Sequence, residues 1–450
     1  MKLIAISRAG CLGWALVALC TGPVAALGIA ISPSKAMIDV PIEIRVQAQP
    51  ESTVTVTAIT NRFGLTFQSR ATFRIPRSGR LNLSEQAPLS GSYSEKNGMG
   101  LFWSMTPTSS SSKRFEFQRD SDLDPRPFEL AVSAGARYAK VSGVRVVLAD
   151  SVARKVVDNG SMVATLFTHG GVACSPGVVV LGGSDGGVPE EQAAVLASHG
   201  FSTLALAYFG APGLSPTLTN IPIEIVRDGL RFVRAQPGVC RGKIALLGAS
   251  KGAELALVAA SRFPEVGAVV AYSPASIVFA GIGGRSATTP SSWSFEGAAL
   301  PFANGTTPPS VLAIIEAQRQ SHRQVSYRAD YLAQLQGNND AAAVIPVSRV
   351  QGPILLIAGG ADRLWPSDIM ANQIIDTLRV NHGRYRAQLL FYPYAGHPIG
   401  LPFEFAKAEL AHSSLALGGS AEDNEKADEA SWPLILRFLR ENGAGFSERM

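Results

Sequence analysis

Cysteine is scarce in this chain: of four in 450 residues, Cys11 and Cys20 fall near the amino terminus and only Cys174 and Cys240 lie beyond it. That leaves no Cys-x-x-Cys pair, and the six histidines do not cluster in sequence, so neither a zinc site nor a redox dithiol is expected and no cofactor is called for. Beyond residue 26 no segment approaches the roughly 18 uninterrupted apolar residues that a membrane span requires. Basic clusters are lacking too. Charged residues make up 17% of the chain, and the formal charge of +5 falls to +3 once Lys2 and Arg8 are set aside, so a nucleic-acid partner is not expected.

Lys2 and Arg8 precede an uncharged apolar run over 9–19, followed by Gly22-Pro23 and Val24-Ala25-Ala26. This is the pattern of a secretory signal over 1–26, with export to the periplasm or medium as its consequence. The alternatives are an uncleaved anchor or a lipid on Cys20, although Leu19 stands where a lipoprotein signal has a small residue.

The composition, 46% hydrophobic, supports large cores, and the length calls for two domains. Over 27–140 short segments alternate apolar with polar residues between Pro, Gly, Ser and Asn, as in 42–46, 53–59, 66–75 and 79–83; this predicts a small antiparallel β-sandwich. The serine run 109–112 reads as an exposed hairpin loop. Met99 to Met105 is a dense apolar cluster that fits core, domain interface or ligand contact. From 141 to 450 the pattern becomes continuous apolar strands separated by helices, which implies a mostly parallel sheet covered on both faces. A final helix is expected over 431–441.

That second region is organised around 243–263, where an apolar strand runs through Gly248-Ala249-Ser250-Lys251-Gly252 into an alanine-rich helical pattern. The pentapeptide fits GxSxG, the turn that exposes a nucleophilic serine at the carboxyl edge of an α/β-hydrolase sheet. Glycine at 248 and 252 avoids collision with the neighbouring strand and helix.

In such a sheet the acid and then the base follow the serine, each just past a strand. Asp362 closes the turn after the strand 354–357, whereas Asp368 stands where a helix begins and is explained by that helix's N-terminal dipole. His397 follows a strand at 388–392 and the loop Pro393-Tyr394-Ala395-Gly396. His169, His199, His322, His382 and His412 fit the order or the strand-end position less well. Two backbone donors are needed for an oxyanion: Lys251, next after the nucleophile, and the glycine-rich turn 182–187, with Gly183 and Ser184 as its candidates. That turn lacks the Gly-Lys-Ser/Thr ending of a phosphate loop. Residues 276–345, rich in Gly, Ser, Thr and Pro, form a candidate lid and acyl pocket.

These motifs, together with Pro41 to Val46, Met99 to Met105, His199 to Tyr208, Gly248 to Glu254, Ile345-Pro346-Val347, Asp362 to Ser367 and Ala395-Gly396-His397, resemble the acyl-CoA thioesterase and bile acid-CoA:amino acid N-acyltransferase family over nearly the whole length after the leader. The resemblance implies a β-sandwich followed by an α/β-hydrolase with a Ser or Cys, Asp and His triad. Its acyltransferase branch is similar in scaffold but uses cysteine as nucleophile, so Ser250 points to hydrolysis. Export separates this chain from intracellular coenzyme A esters and brings other thioesters, oxygen esters and lactones within its range. Transfer to an amine or alcohol, and a silent exported binding protein, are the competing readings; the oligomeric state is open.

Cys174 and Cys240 each lie four positions before an apolar strand, at Val178 and Ile244, which are neighbours in the usual hydrolase order. Equal offsets would bring both to the sheet edge opposite Ser250, where they form either a disulfide or two buried thiols.

Overall fold

The alternation of 53–62 becomes a ten-residue strand in which every second side chain is buried, because successive side chains of a strand point to opposite faces. The computed structural model describes residues 26–62, 64–108, 123–158, 160, 162–170, 174–283, 290–380 and 385–443. Residues 1–25, with most of the expected signal and Cys20, and the serine run 109–112 lie outside the described residues.

The N-terminal region contains β1 (Gly28–Ser32), β2 (Lys35–Met37), β3 (Glu43–Gln47), β4 (Thr53–Arg62), β5 (Leu65–Arg74), β6 (Arg80–Asn82), β7 (Arg126–Ala134) and β8 (Arg137–Val146). They build one sheet of order β1-β3-β6 and a larger one running β2-β8-β7-β4-β5, with the two-residue strands Ser90–Gly91 and Thr106–Pro107 both paired to β5. Pairing is antiparallel except between β2 and β8. Ile44 and Val46 of one sheet share a core with Val56, Phe67, Phe73 and Leu130 of the other. The expected division at 140/141 is corrected by β8, which stays paired with β7 through Arg145. Gly143 is a packing glycine rather than a turn: a β-carbon there would lie 2.5 Å from Phe128 and 2.8 Å from Ile31.

The second region comprises β9 (Val152–Asp158), β10 (Val163–His169), β11 (Gly177–Leu181), α1 (Glu190–Ser198), β12 (Ser202–Ala207), α2 (Glu224–Arg234), β13 (Ile244–Ala249), α3 (Lys251–Ala260), β14 (Val266–Tyr272), α4 (Pro309–Gln320), α5 (Arg328–Gln336), β15 (Ile354–Gly359), α6 (Ser367–Val380), β16 (Ala387–Tyr392), α7 (Ala406–His412) and α8 (Ala421–Gly443). Among the described residues its sheet has eight strands, ordered β9-β10-β12-β11-β13-β14-β15-β16. β10 pairs antiparallel with both of its neighbours, β9 and β12, and all the other pairings are parallel. Val179 and Leu181 face one apolar layer, with Leu246 and Val226 of α2. Val178 and Val180 face the other, with Leu196 of α1 and Trp432 of α8. Two covered faces explain why these strands read as continuous apolar runs. This is an α/β-hydrolase preceded by a β-sandwich.

α8 begins at Ala421, ten positions before the helix expected from 431. Residues 421–430 are rich in acids, yet Asn424, Glu425 and Asp428 are buried. The run 99–105 is also buried, in a cluster that Phe403, Phe405 and Ala408 of the second region enter, with Phe405 stacked on Phe67 at 4.6 Å. It is core at the domain junction. No helix among the described residues is long and apolar enough to cross a membrane.

β11 and β13 are adjacent and parallel, but Val178 lies opposite Ala245, one residue away from the alignment that equal offsets assume. A separate bridge between Ser175 and Val239 brings the chains back together below the strands. Cys174 and Cys240 are joined there by a disulfide, with α-carbons 4.8 Å apart. The sequence separation is 66, for which chain entropy predicts stabilisation of about 4 kcal/mol. Peptide mapping without reduction is expected to recover a linked Cys174 and Cys240 pair; alkylation of both in native-purified protein would rule the bridge out.

Candidate active site

The turn between β13 and α3 sets the geometry. Ser250 has φ of +54° and ψ of −118°, a backbone conformation that costs a non-glycine residue about 1–3 kcal/mol and is held by its surroundings. Its N–H donates to the Tyr272 carbonyl at 2.9 Å, and its carbonyl accepts from the N–H groups of Ala253 and Glu254. A β-carbon on Gly248 would lie 2.2 Å from the Gly252 oxygen, and one on Gly252 equally close to the Gly182 oxygen. Both glycines are therefore required by close approach, which presses the turn against the strand and loop around it.

Gly183 lies against this turn: a β-carbon built on it would sit 3.7 Å from Ser250 Cβ. Tyr208 Oη donates to the carbonyls of Gly182 and Gly183 at 2.7 and 3.0 Å. In a trans peptide the N–H opposes the carbonyl, so the N–H groups of Gly183 and Ser184 are directed away from Tyr208. Lys251 opens α3, where N–H groups have no acceptor within the helix.

Asp362 is 1% exposed and its oxygens are satisfied on all sides. Oδ1 accepts from the N–H groups of Leu364 (2.8 Å) and Trp365 (3.2 Å), while Oδ2 accepts from Ser367 Oγ (2.6 Å) and lies 2.9 Å from His397 Nδ1. Such a carboxylate fixes the imidazole with its proton on Nδ1 and leaves Nε2 to act. His397 is held further by the Trp365 ring, edge-on at 5.8 Å, and by Ser273 Oγ donating to its carbonyl at 2.9 Å. Asp368 is engaged elsewhere, with Arg328 Nη2 at 2.8 and 3.1 Å from its two oxygens. His199 meets Asp39 of the sandwich, whose Oδ2 also accepts from Trp432 Nε1, so that second histidine–acid pair is a domain contact.

Ser250, Asp362 and His397 follow β13, β15 and β16, which run parallel, so all three stand at one sheet edge. Cys174 and Cys240 are at the opposite edge.

The side chain of Lys251 was not singled out in the sequence, yet it forms a fully buried ion pair beside the turn. Its Nζ lies 2.9 Å from Glu254 Oε2 and 2.8 Å from Ser292 Oγ. Glu254 Oε1 accepts from Trp293 Nε1 (2.7 Å) and the Phe279 N–H (3.2 Å). Burial pushes the Lys251 amine down and the Glu254 carboxyl up, each opposed by the other's charge. The pair ties the helix carrying the turn to the insertion 276–345. Its signal in sequence is two charges in a helix whose other residues are small or apolar, the face that must pack on the sheet.

A serine on a strained turn, an oriented imidazole and nearby backbone donors are the parts needed for acyl transfer. Two family models match the chain. Residues 221–444 match the C-terminal model of the BAAT/acyl-CoA thioester hydrolases, and 39–159 match the N-terminal region of the same proteins. The mouse (Mus musculus) peroxisomal succinyl-coenzyme A thioesterase is 30% identical over 89% of this chain and 93% of its own. The chain belongs to the acyl-CoA thioester hydrolase/BAAT family. Mouse acyl-coenzyme A amino acid N-acyltransferase 1 is 29% identical, covering 91% of this chain and 96% of its own. Among solved structures, a dienelactone hydrolase-like promiscuous phosphotriesterase from metagenomic libraries aligns with TM-score 0.41 and 15% identity, over 65% of this chain and 99% of that one.

Glu254→Ala is expected to lower unfolding free energy by about 3–5 kcal/mol, since it strands a buried ammonium and an indole N–H. The double change Lys251→Met with Glu254→Leu is expected to recover much of that loss in denaturant titrations; a single-variant loss below about 1 kcal/mol would contradict the buried-pair assignment.

Proposed function

We propose that this family member is a serine acyl hydrolase that cleaves a coenzyme A thioester or a related ester through an acyl-enzyme on Ser250. His397 Nε2 takes the hydroxyl proton as Ser250 Oγ attacks the acyl carbon; the N–H groups of Lys251 and of Gly183 or Ser184 stabilise the oxyanion. Collapse expels the thiolate or alkoxide with the proton from His397, and a water deprotonated by His397 then releases the acid. The observation that carries the reading is the Asp362–His397 contact at the sheet edge that also bears the Ser250 turn.

Two of the mouse relatives carry thioesterase and N-acyltransferase names, so water and an amine are the two acceptors in play. In the resemblance described above cysteine goes with N-acyl transfer, and serine at 250 favours water. The reading takes 1–26 as an export signal, which brings other thioesters, oxygen esters and lactones in beside coenzyme A esters.

Ser250→Ala is expected to abolish covalent labelling by a fluorophosphonate and turnover together. Asp362→Asn and His397→Ala are expected to lower kcat by about 10³-fold or more, and Asp368→Asn by less than about threefold. Near-normal turnover in Asp362→Asn would transfer the acid role to Asp368. A panel of acyl-CoA, short nitrophenyl esters and lactones, with and without added amine, separates hydrolysis from transfer by its products.

A further inference from the structure

The loop that carries His397 has no regular structure of its own between β16 and α7; the His397 N–H donates to the Leu417 carbonyl at 2.8 Å, and three other backbone N–H groups of the loop are met by side chains of α8. Asn424 Oδ1 accepts from Gly396 N–H at 2.7 Å, Asp428 Oδ1 from Gly400 N–H at 2.6 Å, and Glu425 Oε1 from Phe403 N–H at 2.8 Å. The three acceptors sit at i, i+1 and i+4, one face of the helix. Crowding fixes the same loop: a β-carbon on Gly396 would lie 2.1 Å from the Gly418 oxygen.

The loop's far end is anchored in the sandwich. Glu404 Oε2 accepts from Arg62 Nη1 of β4 at 2.9 Å and from Arg126 Nη1 of β7 at 2.7 Å, while Arg145 Nη1 of β8 donates to the Phe403 carbonyl at 2.7 Å. All three arginines are buried. Charge-assisted bonds of this kind are strong and directional.

We propose that Asn424 and Asp428 are positioning residues for the base, holding the His397 loop from the helix side as the arginine-bound Glu404 holds it from the sandwich. The inference rests on the reading of Ser250 and His397 as nucleophile and base. It also gives the β-sandwich a part in the reaction although it supplies no reacting group. Displacing an oriented base by even an ångström reduces the chemical step without changing substrate binding. Asp428 acts here through one oxygen that accepts from Gly400 N–H, and the amide oxygen of an asparagine offers the same acceptor.

The test uses the full chain, an ester substrate and a fluorophosphonate probe. Asn424→Leu and Asp428→Leu are expected to lower kcat and the rate of Ser250 labelling in parallel, by about 10- to 100-fold, with KM within about twofold. Asp428→Asn is expected to restore both rates, which a purely structural role of that side chain's charge would not produce. Should a leucine variant fail to fold, Asn424→Ala, with thermal unfolding followed alongside, is expected to show the same split at temperatures where it remains folded. Unchanged kcat and labelling in folded Asn424→Ala, or a change in KM alone, would overturn the positioning role. Absence of labelling in the unmodified protein would instead overturn the nucleophile reading beneath it.

Discussion

The candidate site depends on one backbone conformation, the positive φ of Ser250 between a buried strand and a buried helix. A serine does not take that conformation freely. It is held because Gly248 and Gly252 let the turn pack at distances no β-carbon tolerates, and because Tyr272 and the first turn of α3 take up its N–H and carbonyl. Everything else at the site is arranged relative to that point: the glycine turn beside it, the histidine loop above the neighbouring strands, and the insertion tied down through Lys251 and Glu254.

Buried charge is used for joining, not for filling. The core of each domain is apolar, while the ion pairs lie where two pieces of chain must meet in one register: Lys251 with Glu254 between α3 and the insertion, and the sandwich residues Arg62 and Arg126 with Glu404 at the histidine loop. Desolvating these groups is expensive, and removal of one partner leaves the other stranded. An apolar contact alone would allow sliding; a directional, fully desolvated contact specifies one arrangement. Phe405 stacked on Phe67 adds area to the same junction.

The hydrolase order and the candidates Ser250, Asp362 and His397 were legible because strand ends, glycines and the acid-before-base order are local signals. The disulfide partners were legible as a pair, but by an alignment one residue different from the actual one, since register is settled by side-chain packing along β11 and β13. The start of α8 was missed for a related reason. Acids over 421–430 carry the composition of a solvated surface, and only contact with the loop 396–403 converts Asn424, Glu425 and Asp428 into buried acceptors.

By itself, then, the sequence determined the two-domain class, the strand–turn–helix at 244–260 and the residue types at the strand ends, since each follows from periodicity and from the steric needs of glycine over a few neighbouring positions. Tertiary structure decided which of Asp362 and Asp368 faces the imidazole, where the first domain ends, what Lys251 and Glu254 are for, and how the β-sandwich reaches the histidine loop. Those outcomes join residues as far apart as Arg62 and Glu404, and the free energy that selects them comes from desolvated contacts that exist only once the chain has folded.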